Sequence, residues 1–361
     1  MPARPYHRLA PVWFHPRGRV QRITNTATAG GIEKNGEENG VGEERGGCPR
    51  CGSAWRQDDT HQERFMKPIT KKSIDKLYTM LSPCRVCPRH CAVDRLHGEK
   101  GECGAGLEVR VSSYHQHFGE EPPLVGRNGS GTVFFAGCNL HCVFCQNYDI
   151  SQHGMGTEIS SDDLARMMIR LQELGCHNIN LVTPTPWVPQ IVRALAIAQD
   201  AGLDLPIVYN CGGYESVEVL RLLNGIVDIY MPDMKYADDG MADKYSGAVN
   251  YWVVMTEALR EMHRQVGDLV VQDGIAVRGL LIRHLVLPHN IAGSARCFEF
   301  IANAISQKTA VNVMAQYYPA YCAHEHAKLD RRITMQEYRD AVCLLKRYGL
   351  DARSHLVGHP L

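Results

Sequence analysis

The chain predicts an α/β fold: a partial, TIM-like (β/α)6 barrel behind an N-terminal cysteine-rich segment and a disordered N-terminal extension. Short β-branched apolar runs alternate with segments of helical period across the second two-thirds of the sequence. Strands that alternate with helices imply parallel pairing and right-handed crossovers. Six such units are counted, too few to close an eight-stranded barrel. The boundaries that follow are 1–80 for the extension, 81–128 for the cysteine-rich segment, 129–350 for the barrel and 351–361 for a tail.

The extension opens with five arginines and no acid in residues 1–32, weakly like an organelle transit peptide, although serine is absent. From Thr24 to Arg64 it is rich in Gly, Asn, Glu and Asp and poor in large apolar residues. Such a stretch buries too little surface to offset its ordering entropy. Cys48 and Cys51 form half of a zinc knuckle, which needs Cys84 and Cys87, or His61, to complete it. The next segment places Cys84, Cys87, Cys91 and Cys103 on a glycine-rich stretch. Four thiols so close suit a closed site for zinc or for an auxiliary iron–sulfur cluster.

In the barrel the strands read as Thr132–Ala136, Ile179–Thr183, Ile207–Asn210, Val227–Met231, Leu281–Leu287 and Val311–Gln316. The first helix, Ser160–Leu174, opens on an acid-rich cap and lines up Leu164, Met167, Met168, Leu171 and Leu174 on one face. Further helices read at Val188–Ala201, Glu215–Leu223, Met255–Val266, Ser294–Ser306 and Thr334–Tyr348.

Directly after the first strand comes Gly137-Cys138-Asn139-Leu140-His141-Cys142-Val143-Phe144-Cys145. Functional loops of such barrels lie at the carboxyl ends of strands. Thiolates are the usual ligands of iron–sulfur clusters. Three of them hold three corners of a 4Fe–4S cubane and leave the fourth iron open. A structural zinc site normally shows two Cys-x-x-Cys pairs, and no second pair follows here. Disulfides are the other alternative. Fourteen cysteines with no evident secretory signal, several of them single within apolar stretches (Cys176, Cys211, Cys297, Cys343), suit a reducing compartment better. A cytoplasmic location follows, or a mitochondrial one if the arginine-rich start is a transit peptide.

Lys plus Arg and Asp plus Glu each number 39, so the net charge is zero. That argues against a nucleic-acid partner, whose phosphates call for a basic face. No apolar run approaches the roughly 18 residues of a membrane span, which argues against a membrane partner.

With its Cys-x-x-x-Cys-x-x-Cys spacing and Phe144 before the last thiol, the loop resembles the cluster motif of the radical S-adenosylmethionine superfamily. From Cys84 to Leu350 the chain is similar to the branch related to pyruvate formate-lyase activating enzyme. The likeness runs through His117–Gly126, Gly129–Thr132, Cys145–Asp149, Asn178–Thr185, Val208–Asn210, Asp228–Lys235 and Arg283–Pro288.

The resemblance implies a 4Fe–4S cluster on Cys138, Cys142 and Cys145, with S-adenosylmethionine chelated to the open iron. Reductive cleavage to a 5′-deoxyadenosyl radical and hydrogen abstraction would follow, fed by an electron donor such as flavodoxin or ferredoxin. The substrate implied is a protein, with a glycine of a partner enzyme as the finer reading. Radical modification of a small molecule, peptide or RNA is an alternative, as is a non-catalytic metal-binding scaffold. Phe144 would flank the adenine. Many members grip the methionyl amino group with Gly-Gly-Glu after the second strand, where this chain has Thr183-Pro184-Thr185; threonine oxygens and strand-end carbonyls would accept those bonds instead. Asn210 and Lys235 would bind cofactor or substrate. Arg283 and His284 alternate, and Arg283 is expected to face the interior. His117, Glu120 and Glu121 are expected to pack or cap. Arg110-Val-Ser-Ser-Tyr114 is similar to the loop of glycyl-radical enzymes, but serine replaces the glycine, which makes an activator the better reading.

Overall fold

A computed structural model describes residues 68–350; the arginine-rich start, Cys48, Cys51, His61 and the tail 351–361 lie outside the described residues. Nine strands form one sheet: β1 Val109–His117, β2 Ser130–Phe135, β3 Thr157–Ile159, β4 Ile179–Val182, β5 Ile207–Cys211, β6 Ile229–Pro232, β7 Val270–Gln272, β8 Ile275–Leu285 and β9 Ala310–Met314. Their order is β3-β1-β2-β4-β5-β6-β8-β7, with β9 also on β8. The pairs β2–β4, β4–β5, β5–β6, β6–β8 and β8–β9 are parallel. These six parallel strands are the six predicted ones, and the partial barrel stands.

Helices Ser161–Glu173, Val188–Asp200, Val217–Leu222, Tyr251–Val266 and Ser294–Phe300 make the crossovers, and Met335–Arg347 follows the last strand. Ser160 starts the first through a capping box. Its hydroxyl accepts the Asp163 N–H at 3.1 Å, and the Asp163 carboxylate accepts the Ser160 N–H at 3.3 Å. Leu164, Met168 and Leu171 are buried as the period requires. Leu174 is 41% exposed, because the helix stops at Glu173 and the chain turns away.

Strand alternation divides the apolar residues into two cores. Residues such as Val133, Leu181, Tyr209 and Ile282 point outward to the helices. Val208, Ile229, Met231, Leu281 and Ala310 point inward, where Leu124 joins them. Leu124 belongs to the short helix Pro122–Val125, whose carbonyl O at Leu124 accepts from Asn178 Nδ2 at 2.8 Å. The Pro-rich loop thus plugs the amino ends of the strands.

Three strands escaped the sequence. β1 pairs antiparallel with β2 and β3 with β1. β7 joins β8 through Asp273 and Gly274, both at positive φ (49° and 82°), the geometry of a type I′ hairpin. Residues 71–79, assigned by composition to the disordered extension, instead form a helix, Lys71–Thr79, capped by Thr70 and burying Leu77. No helix among the described residues is long and apolar enough to cross a membrane.

Candidate active site

The cysteine loop hangs from the carboxyl end of β2, and its backbone is anchored on several sides. His141 and Val143 donate N–H to the carbonyls of Ser246 and Tyr245, both at 2.9 Å. Asn139 Nδ2 reaches Tyr214 O at 2.6 Å. Each thiol has a polar neighbour. Leu140 N–H points at Cys138 Sγ (3.4 Å), Ser246 Oγ donates to Cys142 Sγ (3.0 Å), and Ser151 Oγ lies 3.1 Å from Cys145 Sγ. All three are free thiols. Burial pushes the Cys138 and Cys142 thiols up; a coordinating metal ion overrides this by ionising the sulfur.

The thiols face a cavity of about 430 Å³ that is also lined by Phe144, Thr183, Asn210, Asp233, Lys235 and Arg283. Strand ends β4, β5, β6 and β8 therefore deliver to one space most of the residues singled out in the sequence. Phe144 is buried and packs edge-on against Tyr317, ring centroids 5.8 Å apart, so it belongs both to the core and to the cavity wall. Thr183 sits at φ 60°, strained for a β-branched residue, and donates its N–H to Asn210 O at 2.9 Å.

A chain of charges crosses the floor. Asp233 accepts from Lys235 Nζ and from Arg283 Nε, each at 2.7 Å. Arg283 also donates to Asn210 Oδ1 at 2.6 Å and lies 3.6 Å from Glu120. Burial acts against the Asp233 carboxylate, yet Arg283 and Lys235 outweigh it and hold the pKa below its ordinary value. Burial likewise opposes the Lys235 ammonium, and Asp233 with Cys142 reverses the balance upward. His284 points the other way. Its Nδ1 bonds Met234 O (2.8 Å) and its Nε2 bonds Ser294 Oγ (2.9 Å), while burial lowers its pKa to about 4.

Three expected placements change. Thr185 does not line the cavity: it is buried and gives its hydroxyl to Glu215 Oε1 at 2.7 Å. His117 and Glu120 were expected only to pack, but both line the cavity. Burial raises the Glu120 carboxyl to about 7, with Arg283 working in the opposite direction. Of that loop, Glu121 alone keeps a packing role, accepting from Asn312 Nδ2 at 2.9 Å. Arg110–Tyr114 lies within β1, where Arg110 pairs with Glu158 at 2.6 Å.

Sequence reasoning passed over Glu215, which is 2% exposed, takes hydroxyls from Thr185 and Tyr209, and is raised by burial to about 7. It had named Glu215 only as a helix start. The Gly212-Gly213 pair before it is the one local cue that the chain passes close to the site.

Three thiols at one end of a cavity, with no fourth in their loop, fit a 4Fe–4S cluster that keeps one iron free of protein ligands. Paired cationic and anionic side chains beyond them fit a zwitterionic methionyl group. No three His, Cys, Asp or Glu side chains among the described residues are grouped to hold a single metal ion. A cubane is a larger body, each thiolate meeting a different iron, and does not require that grouping.

Known proteins share sequence and fold with this chain. The family model described as the Radical SAM superfamily matches residues 132–280. An uncharacterized protein of Methanocaldococcus jannaschii is 31% identical over 304 residues, 81% of this chain and 83% of that one. A pyruvate formate-lyase-activating enzyme of Listeria monocytogenes is 30% identical over 113 residues, 28% of this chain and 45% of its own. The crystal structure of a domain of the corresponding Bacteroides vulgatus enzyme superposes with a TM-score of 0.33 at 13% identity, covering 55% of this chain and 91% of that domain.

Proposed function

Because the chain belongs to the radical S-adenosylmethionine superfamily, we propose that its cavity serves hydrogen-atom abstraction from a partner protein, a glycine of another enzyme being the target in view. The observation that carries this is the convergence of three free thiols and the Lys235–Asp233–Arg283 chain on one cavity. A 4Fe–4S cluster and S-adenosylmethionine, the cofactors of that family, supply the one-electron reductive cleavage and the hydrogen-abstracting radical when bound.

The chain's own residues bind and orient. Cys138, Cys142 and Cys145 would hold three irons of the cluster. Asp233, kept ionised by its two cations, presents a fixed anion, and Lys235 places its ammonium on the Cys142 side of the cavity. Asn210 and Thr183 offer amide and hydroxyl groups at the strand ends, and the carbonyls there accept amino protons in place of an acidic side chain. Phe144 supplies an apolar wall for the adenine. The buried part of the lining, Phe144 and Cys142, shields the inner end of the cavity from solvent.

A protein target is supported by the 113-residue likeness to an activating enzyme. Flavodoxin or ferredoxin is the class of donor proposed. Anaerobic reconstitution with iron and sulfide, then dithionite and S-adenosylmethionine, should release 5′-deoxyadenosine and methionine. Their absence would end the cleavage reading. With a candidate partner added, a glycine-centred paramagnetic doublet is expected, and a reaction that modifies only small molecules would remove the activator assignment.

A further inference from the structure

A second group of thiols lies outside the cavity. Cys84 and Cys87 are buried, Cys91 and Cys103 partly so, and all four are free. His90 N–H donates to Cys87 O at 3.2 Å and Ala92 N–H to Cys84 O, so the backbone turns back on itself and brings Cys84 and Cys87 beside Cys91. A Cβ placed on Gly101 would touch Cys91 Sγ at 3.5 Å and Cys103 Sγ at 3.7 Å, so these two sulfurs flank the same backbone.

The loop is held in a set shape. Cys84 N–H donates to Val93 O (2.9 Å), Ala92 N–H to Cys84 O (3.0 Å) and Gly104 N–H to Gly101 O (2.9 Å). His90 and Ala92 take positive φ of 47° and 59°, a cost for residues with a Cβ. Beside the thiols lies Arg95, 1% exposed, whose guanidinium bonds only backbone carbonyls: Gly106 O at 2.7 and 2.9 Å and Pro186 O at 2.8 Å. No carboxylate among the described residues pairs with it. Its charge is met by those carbonyls and by the Trp187 ring, 5.4 Å from the guanidinium, so Arg95 braces the loop that carries the thiols.

We infer that Cys84, Cys87, Cys91 and Cys103 hold a second iron–sulfur cluster, closed by four thiolates. Zinc fits less well. The spacing lacks the two Cys-x-x-Cys pairs of a structural zinc site. Four thiolates complete either a 2Fe–2S or a 4Fe–4S centre. With every iron capped, this centre has no position for S-adenosylmethionine. The site abuts the first: a Cβ on Gly137 would meet the Cys103 carbonyl oxygen at 2.5 Å, and Arg89 joins Asn139 O (2.5 Å) to Glu102 (2.6 Å).

The test uses the full chain with Cys138, Cys142 and Cys145 all changed to alanine, purified and reconstituted without oxygen using iron and sulfide. It should retain about two to four irons per chain with matching sulfide. After dithionite it should show a cluster paramagnetic signal that S-adenosylmethionine leaves unchanged. Adding Cys84→Ala and Cys103→Ala should remove that iron. Zinc in place of iron, no metal at all, or a signal shifted by S-adenosylmethionine would each overturn the inference. The outcome is independent of cleavage activity, which the triple variant lacks by design.

Discussion

Asp233 and Arg283 face each other across the parallel strands β6 and β8, Oδ1 to Nε at 2.7 Å, and the other carboxylate oxygen of Asp233 holds Lys235 at the same distance. One part-buried carboxylate thus keeps two cations at the cavity floor.

Asp233→Asn is expected to destabilise the fold by about 3 kcal/mol, because it leaves Arg283 and Lys235 without their shared anion. Urea unfolding would measure it. Asp233→Asn combined with Lys235→Met should recover part of the loss, since one uncompensated charge goes with it. A double variant no more stable than the single one would refute the coupling.

Single alanine substitutions at Cys138, Cys142 or Cys145 should reduce S-adenosylmethionine cleavage below detection while the far-ultraviolet circular dichroism stays that of the parent. The loop's backbone bonds to Tyr245 and Ser246, and the Asn139 side-chain bond to Tyr214, do not depend on the sulfurs. Residual 5′-deoxyadenosine above background in any of the three would contradict three-point attachment of the cluster.

Glu215 sets a pH dependence. Its pKa in the folded chain is raised by burial to about 7, against an ordinary value of 4.5. The folded state therefore binds the proton more tightly than the unfolded state. The stability this contributes is complete below about 4.5 and is lost as pH rises through about 7. Glu120, raised in the same direction to about 7, adds to the slope. Glu215→Gln should flatten the fall in melting temperature between pH 4.5 and 7; an unchanged slope would show that Glu215 does not carry it.

Gly137→Ala should loosen both thiol loops at once. The residue has φ 83°, and a Cβ would meet the Cys103 carbonyl oxygen at 2.5 Å. Backbone strain alone is worth about 1–3 kcal/mol, before the clash is counted. Iron content per chain after reconstitution is the direct measure. Full loading with an unchanged melting temperature would exclude the close approach.

The six parallel strands and their helices could be located in the sequence because each is a continuous apolar run or a 3.6-residue period, signals that local sequence carries in full. β1 could not. Only Val109 and Val111 of its nine residues are buried, and the rest of its polar run becomes a strand through pairing with β2. The hairpin at Asp273-Gly274 was written in the sequence as a turn dipeptide and was passed over. Of the residues that line the cavity, Cys138, Cys142 and Cys145 stand out by spacing, Asn210 and Lys235 by their places at strand ends, and Arg283 by alternation with His284 along its strand. That Glu120 also lines the cavity was not legible, because a packing or capping role for a proline-rich loop does not say which side chain turns toward Arg283, far along the chain. Thr185 was misplaced because the partner that turns it away, Glu215, lies thirty positions on.

β2 bears on the protein's life in air. It has hydrogen-bonded neighbours on both edges, β1 on one and β4 on the other, and its residues are almost all buried. The segment that ends in the metal-binding turn is therefore an interior beam of the sheet rather than a fraying margin. The start of the turn is thus set by the sheet and not by bound iron, so exposure to air is expected to leave β2 paired; loss of far-ultraviolet circular dichroism on aeration would show otherwise.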